Sequence, residues 1–148
     1  TAEDAVAYLL EKRKQIIDIV GMSGTDLKSK VKVFCDKEWL TEALGNVIKN
    51  ACEHTDNNGE INIIIEENER STIVTVSDNG GGVDKEDVGK LFKRFHRAKN
   101  AKPQSAGIGL AITKAIVEKH HGTISAVNTA TGLDIIMCFP HIDGYQAI

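Results

Sequence analysis

Apolar residues recur along this chain at two periods, and the changes from one to the other mark its elements. Val6, Leu9, Leu10, Ile16, Ile17 and Val20, with Arg13, form one stripe at helical spacing and predict a leading helix over Glu3 to Val20, ended by the two glycines between Gly21 and Thr25. Val31, Val33 and Cys35 alternate with polar partners, as in a short strand. Asp36 is placed as an N-cap for the best-defined helix. On its one face, at about 100° per residue, fall Trp39, Leu40, Ala43, Leu44, Val47, Ile48, Ala51 and Cys52. It ends near His54, before the polar turn Asp56-Asn57-Asn58-Gly59.

The period then shortens to two. Ile61 to Glu66 and Thr72 to Ser77 read as strands joined by a charged turn, a hairpin signal. Asp78 to Val83 is too rich in glycine for regular structure, and a short helix is expected around Asp87 to Phe95. His96 to Ala106 is basic and loop-like, and a second amphipathic helix runs from about Gly107 to His121, stopped by Gly122. Thr123 to Val127 and Leu133 to Phe139 predict a closing strand pair. The order is met most economically by an α/β (α+β) two-layer sandwich, a mixed, largely antiparallel sheet covered on one face by helices. Residues 1–148 make a single domain with its core at about 31–140, and residues 1–24 carry the leading helix.

Composition narrows this picture without redirecting it. With 148 residues, 41% hydrophobic and 26% charged, the chain has the size and balance of one globular unit. No run approaches the roughly 20 apolar residues of a membrane span, and no signal peptide opens it. A formal charge of −3 gives no reason to invoke nucleic acid. The three cysteines lack metal-ligand spacing and read as reduced thiols in a cytoplasmic protein. The chain begins at Thr1 and reads as a piece of something longer.

Three short segments carry candidate chemistry. Asn46, Asn50 and His54 stand one turn apart along one edge of the apolar face of the long helix. Asparagine is a middling-to-poor helix former, so either these are solvent-exposed residues or their carboxamides hold something, a hard cation such as Mg²⁺ being the natural candidate. Asp78-Asn79-Gly80-Gly81-Gly82 follows a strand; it is either a flexible loop or a carboxylate that accepts from an adenine amino group beside a closely approaching backbone. Gly107-Ile108-Gly109-Leu110 opens a helix, where free N–H groups and the helix dipole suit phosphate. It is neither a dinucleotide fingerprint, having Ile112 where a third glycine would stand, nor a Walker loop. Before it lie Lys90, Lys93, Arg94, Arg97, Lys99 and Lys102 with no acid among them, a solvated surface or a partner for phosphates.

Taken in order, the asparagine helix, DxGxG, the pair Phe92 and Phe95, and GxGL resemble the N, G1, F and G2 boxes of sensor histidine kinases, over about Asp36 to Pro140. The wider superfamily includes DNA gyrase, HSP90 and MutL. The resemblance implies a Bergerat-type sandwich that binds ATP with Mg²⁺ between the first-box helix and a lid at His96 to Ala106. It implies Asn50 as the Mg²⁺ ligand and Asp78 as the adenine reader, with Gly80, Gly82 and Val83 shaping the base pocket. Gly107, Ile108, Gly109 and Leu110 would line the phosphates. Asn46, His54, Phe95 and Lys102 would complete the nucleotide site, and Asn46, Arg94 and Arg97 would serve phosphotransfer.

ATPases and anti-sigma serine kinases of the superfamily carry a glutamate where this chain has Asn46, and an imidazole acceptor needs less help from a base. The implied function is therefore transfer of the γ-phosphate from ATP to a histidine on a separate dimerisation domain, for relay to a response regulator receiver domain. The alternatives are another ATPase or serine kinase of the superfamily, or a nucleotide-binding module without phosphotransfer. The resemblance implies a monomeric fragment of a homodimeric parent, on the cytoplasmic side of a sensor of a kind that can be membrane-bound. Three departures from the family pattern stand out: Ser105 replaces a glycine at the lid hinge, Glu53 a basic residue, and Leu133 a threonine.

Overall fold

The computed structural model of the chain describes residues 16–21, 37–56, 58–93 and 109–141. Five strands, β1 (Ile16–Gly21), β2 (Glu60–Glu67), β3 (Ser71–Asp78), β4 (Thr123–Asn128) and β5 (Leu133–Pro140), form one sheet in the order β1-β2-β3-β5-β4. β1 runs parallel to β2, and every other neighbouring pair is antiparallel. Helices α1 (Lys37–His54) and α3 (Gly109–Lys119) and the short α2 (Lys85–Val88) accompany the sheet. This is the expected two-layer α/β sandwich with a mixed, largely antiparallel sheet.

Strand alternation decides which residues make the core. In β5, Leu133, Ile135, Met137 and Phe139 are buried while the residues between them are only partly covered. Opposite them in β3 stand Val76, Val74 and Thr72, and beyond those in β2 Ile63 and Ile65, so one face of the sheet is almost wholly apolar. Onto this face α1 lowers Val47, Ile48, Ala51 and Cys52, and α3 lowers Leu110 and Val117. The helices are tied to each other by the buried hydroxyl of Thr113, which lies 3.2 Å from the Ala43 carbonyl oxygen and 3.0 Å from that of Gly109. Trp39, expected on the apolar face, is instead 44% exposed at its rim, with the Lys119 ammonium 5.3 Å from the ring centroid.

Two expectations are corrected. The leading helix over Glu3 to Val20 fails at residues 16–20, which form β1; residues 3–15 lie outside the described residues, as does the strand expected at Val31 to Cys35. Ile-Ile-Asp-Ile-Val is a β-branched run, stiff at χ1 and suited to a pleated ladder, and the open edge of β2 supplies one. The helix expected at Asp87 to Phe95 starts earlier and stops at Val88. Beyond it, Lys90 and Lys93 donate three residues back, to Asp87 and Lys90, which makes turns rather than a continued helix.

The end of α3 differs from expectation in a way that makes a prediction. Gly122 N–H donates to the Val117 carbonyl at 2.9 Å and His121 N–H to that of Glu118 at 3.0 Å, the pair of bonds of a Schellman cap. The left-handed residue of that cap is His121, with φ of 64°, a position that favours glycine. Gly122 is needed for close approach, since a Cβ there would stand 2.5 Å from the Cys138 carbonyl oxygen. A left-handed conformation costs a side-chain-bearing residue about 1–2 kcal/mol, and glycine's extra unfolded entropy returns about 0.5–1 of that. His121→Gly is therefore expected to stabilise the protein by about 0.5–1 kcal/mol in urea unfolding, because His121 itself is exposed.

Candidate nucleotide site

The C-terminal half of α1, the end of β3 and the loop after it, the β4–β5 turn and the start of α3 converge at one end of the sandwich. Asn46, Asn50 and His54 are each half-buried on α1 at one-turn intervals, as the helical period requires. Asn46 is the most telling of the three. Its Nδ2 is buried and has no hydrogen-bond partner, an arrangement that costs about 1–3 kcal/mol unless a ligand acceptor fills it. Gly109 at the start of α3 lies against it, such that a Cβ on Gly109 would stand 3.7 Å from Asn46 Cβ, Cγ and Oδ1. The first turn of α3, whose leading N–H groups have no intrahelical acceptor, thus opens beside an unsatisfied amide.

Asp78 closes β3 and is only 5% exposed. Burial pushes its carboxyl above the usual carboxylate range. The N–H groups of Gly80 and Leu133 and the nearby His54 pull it back, while Asp134 adds to the rise. The Gly80 N–H donates to Asp78 Oδ1 at 2.9 Å. A carboxylate held at the mouth of a fold in this way wants a further donor, which an exocyclic amino group provides.

After Asp78 and Asn79 the loop favours glycine at each of its next three positions. A Cβ on Gly80 would fall 2.1 Å from the His54 carbonyl oxygen, so the loop is pressed against the end of α1. Gly81 and Gly82 have φ of 87° and 74°, and a Cβ on Gly82 would also meet Asn128 Oδ1 at 2.6 Å. Asn79 anchors the start of the loop: its N–H donates to the Glu60 carbonyl at 3.2 Å and its Oδ1 accepts from the Glu60 N–H at 2.9 Å.

The structure thus brings together Asn46, Asn50, His54, Asp78, Gly80, Gly82, Val83, Gly109 and Leu110 of the residues expected from sequence. Two of them carry their side chains into the core rather than the site: Val83 and Leu110 are each 8% exposed and belong to the apolar cluster. What these two can offer a ligand is backbone. Arg94, Phe95, Arg97, Lys102, Gly107 and Ile108, and with them the expected lid, lie outside the described residues.

The β4–β5 turn is what the sequence did not disclose. Gly81 N–H donates to the Thr131 carbonyl at 2.9 Å, Asn128 bonds the backbone of Val83, and Gly132 packs so tightly on Asp78 that a Cβ would be 1.9 Å from its carbonyl oxygen. The sequence signals there were Leu133, where the family commonly carries a threonine, and the glycine before it, which reads equally well as an ordinary hairpin turn.

The residues present fit a nucleotide with a hard cation. The orphaned amide of Asn46 lies beside the opening of α3, and the desolvated carboxylate of Asp78 leads into the loop packed on His54, two turns further along α1. Among the described residues no group of three or more His, Cys, Asp or Glu could hold a metal by itself, so a cation here would rely on Asn50, water and phosphate oxygens, as Mg²⁺ commonly does. Among the same residues no helix is long and apolar enough to cross a membrane.

Residues 35–142 match the family model described as histidine kinase-, DNA gyrase B-, and HSP90-like ATPase. The chain is 38% identical over 118 residues to the sensor histidine kinase YvrG of Bacillus subtilis, a match covering 78% of this chain and 20% of that protein. It is 37% identical over 99 residues to the heme sensor protein HssS of Staphylococcus aureus, covering 67% of this chain and 21% of that one. The chain therefore spans about a fifth of the length of these curated relatives. Among solved structures, the catalytic domain of histidine kinase ThkA superposes with a TM-score of 0.79 at 25% identity, covering 94% of this chain and 89% of that one. The mycobacterial sensor histidine kinase MprB gives 0.80 at 22% identity, covering 94% and 92%, a likeness of fold.

Proposed function

We propose a function from the premise that this chain belongs to the histidine kinase-, DNA gyrase B-, and HSP90-like ATPase family: it binds ATP with Mg²⁺ and gives the γ-phosphate to a histidine carried on a separate dimerisation domain. The observation that carries the proposal is the buried carboxylate of Asp78, whose glycine loop packs Gly80 against the His54 carbonyl at the end of the asparagine edge of α1. Asp78 reads the adenine amino group. Asn46 donates its unpaired Nδ2 to a phosphate oxygen, and the N–H groups at the start of α3 do the same. Mg²⁺, held by Asn50, supplies charge neutralisation on the phosphates when bound. The protein's remaining contribution is to hold the γ-phosphate in line with the acceptor, with Arg94 and Arg97 proposed to meet the developing charge.

Asn46 also argues for the branch. A water- or serine-activating member needs a general base near the metal ligand, and an amide has no basic lone pair at neutral pH. A neutral imidazole attacks with a ring lone pair and needs far less help from such a base. We assign the acceptor histidine to a dimerising helical hairpin, the next phosphate recipient to a response regulator receiver domain, and the site of action to the cytoplasm. On its own this chain is then a monomer that binds nucleotide and does not label itself.

The test is phosphotransfer. Incubated with γ-labelled ATP and Mg²⁺, the chain alone is expected to gain no acid-labile, base-stable phosphate. With a supplied hairpin from a close relative, label should appear on the hairpin's histidine. Stoichiometric phosphohistidine at any of the chain's own five histidines would sink the proposal. So would steady phosphate release to water at the rate of an ATPase.

A further inference from the structure

We propose that Asn128, at the end of the edge strand β4, is a positioning residue for the base pocket: its side-chain amide clamps the backbone of Val83 and so fixes the glycine loop that faces the adenine ring. The inference rests on the nucleotide reading above. Asn128 Oδ1 accepts from the Val83 N–H at 3.0 Å and its Nδ2 donates to the Val83 carbonyl at 2.8 Å. One carboxamide therefore satisfies both backbone groups of a single residue, as a neighbouring strand would, across 45 positions of sequence.

Position and exposure separate this role from simple packing. Asn128 is exposed, so its side chain fills no core volume. What it does instead is close a frame. Val83 has its side chain in the core at 8% exposure, which fixes it from below, and the two amide bonds fix its backbone from the side. Gly82, with φ of 74°, is pressed directly onto the same Oδ1 and the Gly132 carbonyl oxygen. Gly81 is held by Thr131, and the turn returns through Gly132 to Asp78, where Leu133 N–H reaches the carboxylate. The turn of residues 128–133 thus sets loop and base reader against each other. Among the tie points of this frame, Asn128 supplies a pair of side-chain bonds to one loop residue.

Asparagine is demanded because the clamp needs a donor and an acceptor in one planar group. Aspartate keeps an acceptor for the Val83 N–H but cannot donate when ionised, and its second oxygen would face the Val83 carbonyl lone pair to lone pair. Alanine loses both bonds and exposes no cavity.

The experiment measures ADP and GDP binding to the parent, Asn128→Ala and Asn128→Asp, with amide exchange at Val83 read in the absence of nucleotide. In Asn128→Ala the Val83 N–H is expected to exchange at least about tenfold faster. ADP affinity should fall by about tenfold, the loss of one or two neutral hydrogen bonds, and the preference for ADP over GDP should narrow with it. Asn128→Asp keeps the acceptor for the Val83 N–H and should exchange more slowly there than alanine, while its ADP affinity should fall at least as far because a carboxylate oxygen opposes the Val83 carbonyl. A role limited to stability would lower the unfolding midpoint and leave the ADP-to-GDP ratio of the folded protein unchanged; that result overturns the inference. A parent that itself fails to prefer ADP overturns the nucleotide reading and this inference together. A parent that prefers ADP while Asn128→Ala does so equally overturns this inference alone.

Discussion

Asp78→Ala should bind ATP and GTP about equally, whereas the parent should prefer ATP by at least about tenfold. An ionised carboxylate accepts hydrogen bonds and donates none, and its two oxygens offer about four acceptor sites. The N–H groups of Gly80 and Leu133 occupy part of that capacity and orient the group. The remainder suits the amino group of adenine. Guanine presents a carbonyl at the equivalent ring position, so lone pairs would face lone pairs with no proton between them. A hydrogen bond to a charged group is worth about 1.5–3 kcal/mol, or roughly 10- to 150-fold in affinity. Leaving a carboxylate that is only 5% exposed without its partner adds to the discrimination. Competition of ATP, GTP and CTP against a fluorescent adenine nucleotide gives the answer, and equal displacement of the probe from the parent by GTP would remove Asp78 from its role.

The same burial has a consequence without nucleotide. Because burial raises the Asp78 pKa, the folded state binds its proton more tightly than the unfolded chain does. The carboxyl's contribution to stability is then fully present below its unfolded pKa and is lost as pH rises through the higher folded value. Asp78→Asn cannot titrate. Its stability minus that of the parent should therefore increase as pH rises through that window, whatever the amide costs in bonds to Gly80 and Leu133. Urea unfolding of the two proteins at acid and neutral pH measures the difference; a constant gap would show the carboxyl to be unperturbed, and one that shrinks as pH rises would show its pKa to be lowered by folding.

How much of this was legible depended on where the determining interaction lies along the chain. α1, β2, β3 and β5 were readable because each buries one face, and burial writes its period into consecutive residues: Val47, Ile48, Ala51 and Cys52 in the helix, Leu133, Ile135, Met137 and Phe139 in the strand. β1 was not, since Ile16 to Val20 fits a helical stripe and a strand alike, and only a parallel partner more than forty positions away selects between them. Asp78 and the glycines after it were legible as a motif because close approach at Gly80 and Gly82 and positive φ at Gly81 and Gly82 favour glycine in consecutive positions. Asn128 was illegible for the opposite reason. Nothing local requires an asparagine at the end of β4; the requirement arises only where Val83 passes it in three dimensions. Leu110 shows a third case, in which the motif named a residue whose side chain the fold assigns to the core.

Asn50→Ala should abolish the Mg²⁺ dependence of nucleotide binding while leaving the fold intact. Asn50 stands half-buried on α1 between Asn46, whose Nδ2 waits for an acceptor, and His54, whose carbonyl is pressed against Gly80. Its carboxamide oxygen is a hard, neutral ligand, and Mg²⁺ bound through one such protein group with waters and phosphates depends heavily on that group. Mutation of residues that merely orient metal ligands costs about 10- to 100-fold in metal affinity or activity, so loss of a ligand should cost at least as much. Stability should change little, because Asn50 lies outside the apolar cluster that Val47, Ile48 and Ala51 enter from the same helix. Titration of ATP with and without Mg²⁺ isolates the effect: in the parent the cation should tighten binding, and in Asn50→Ala the two curves should coincide. An Asn46→Ala control should behave differently, weakening ATP binding in both conditions, because an amide N–H that donates to a phosphate oxygen does so with or without the metal. If Mg²⁺ shifts affinity equally in Asn50→Ala and the parent, the cation is held elsewhere.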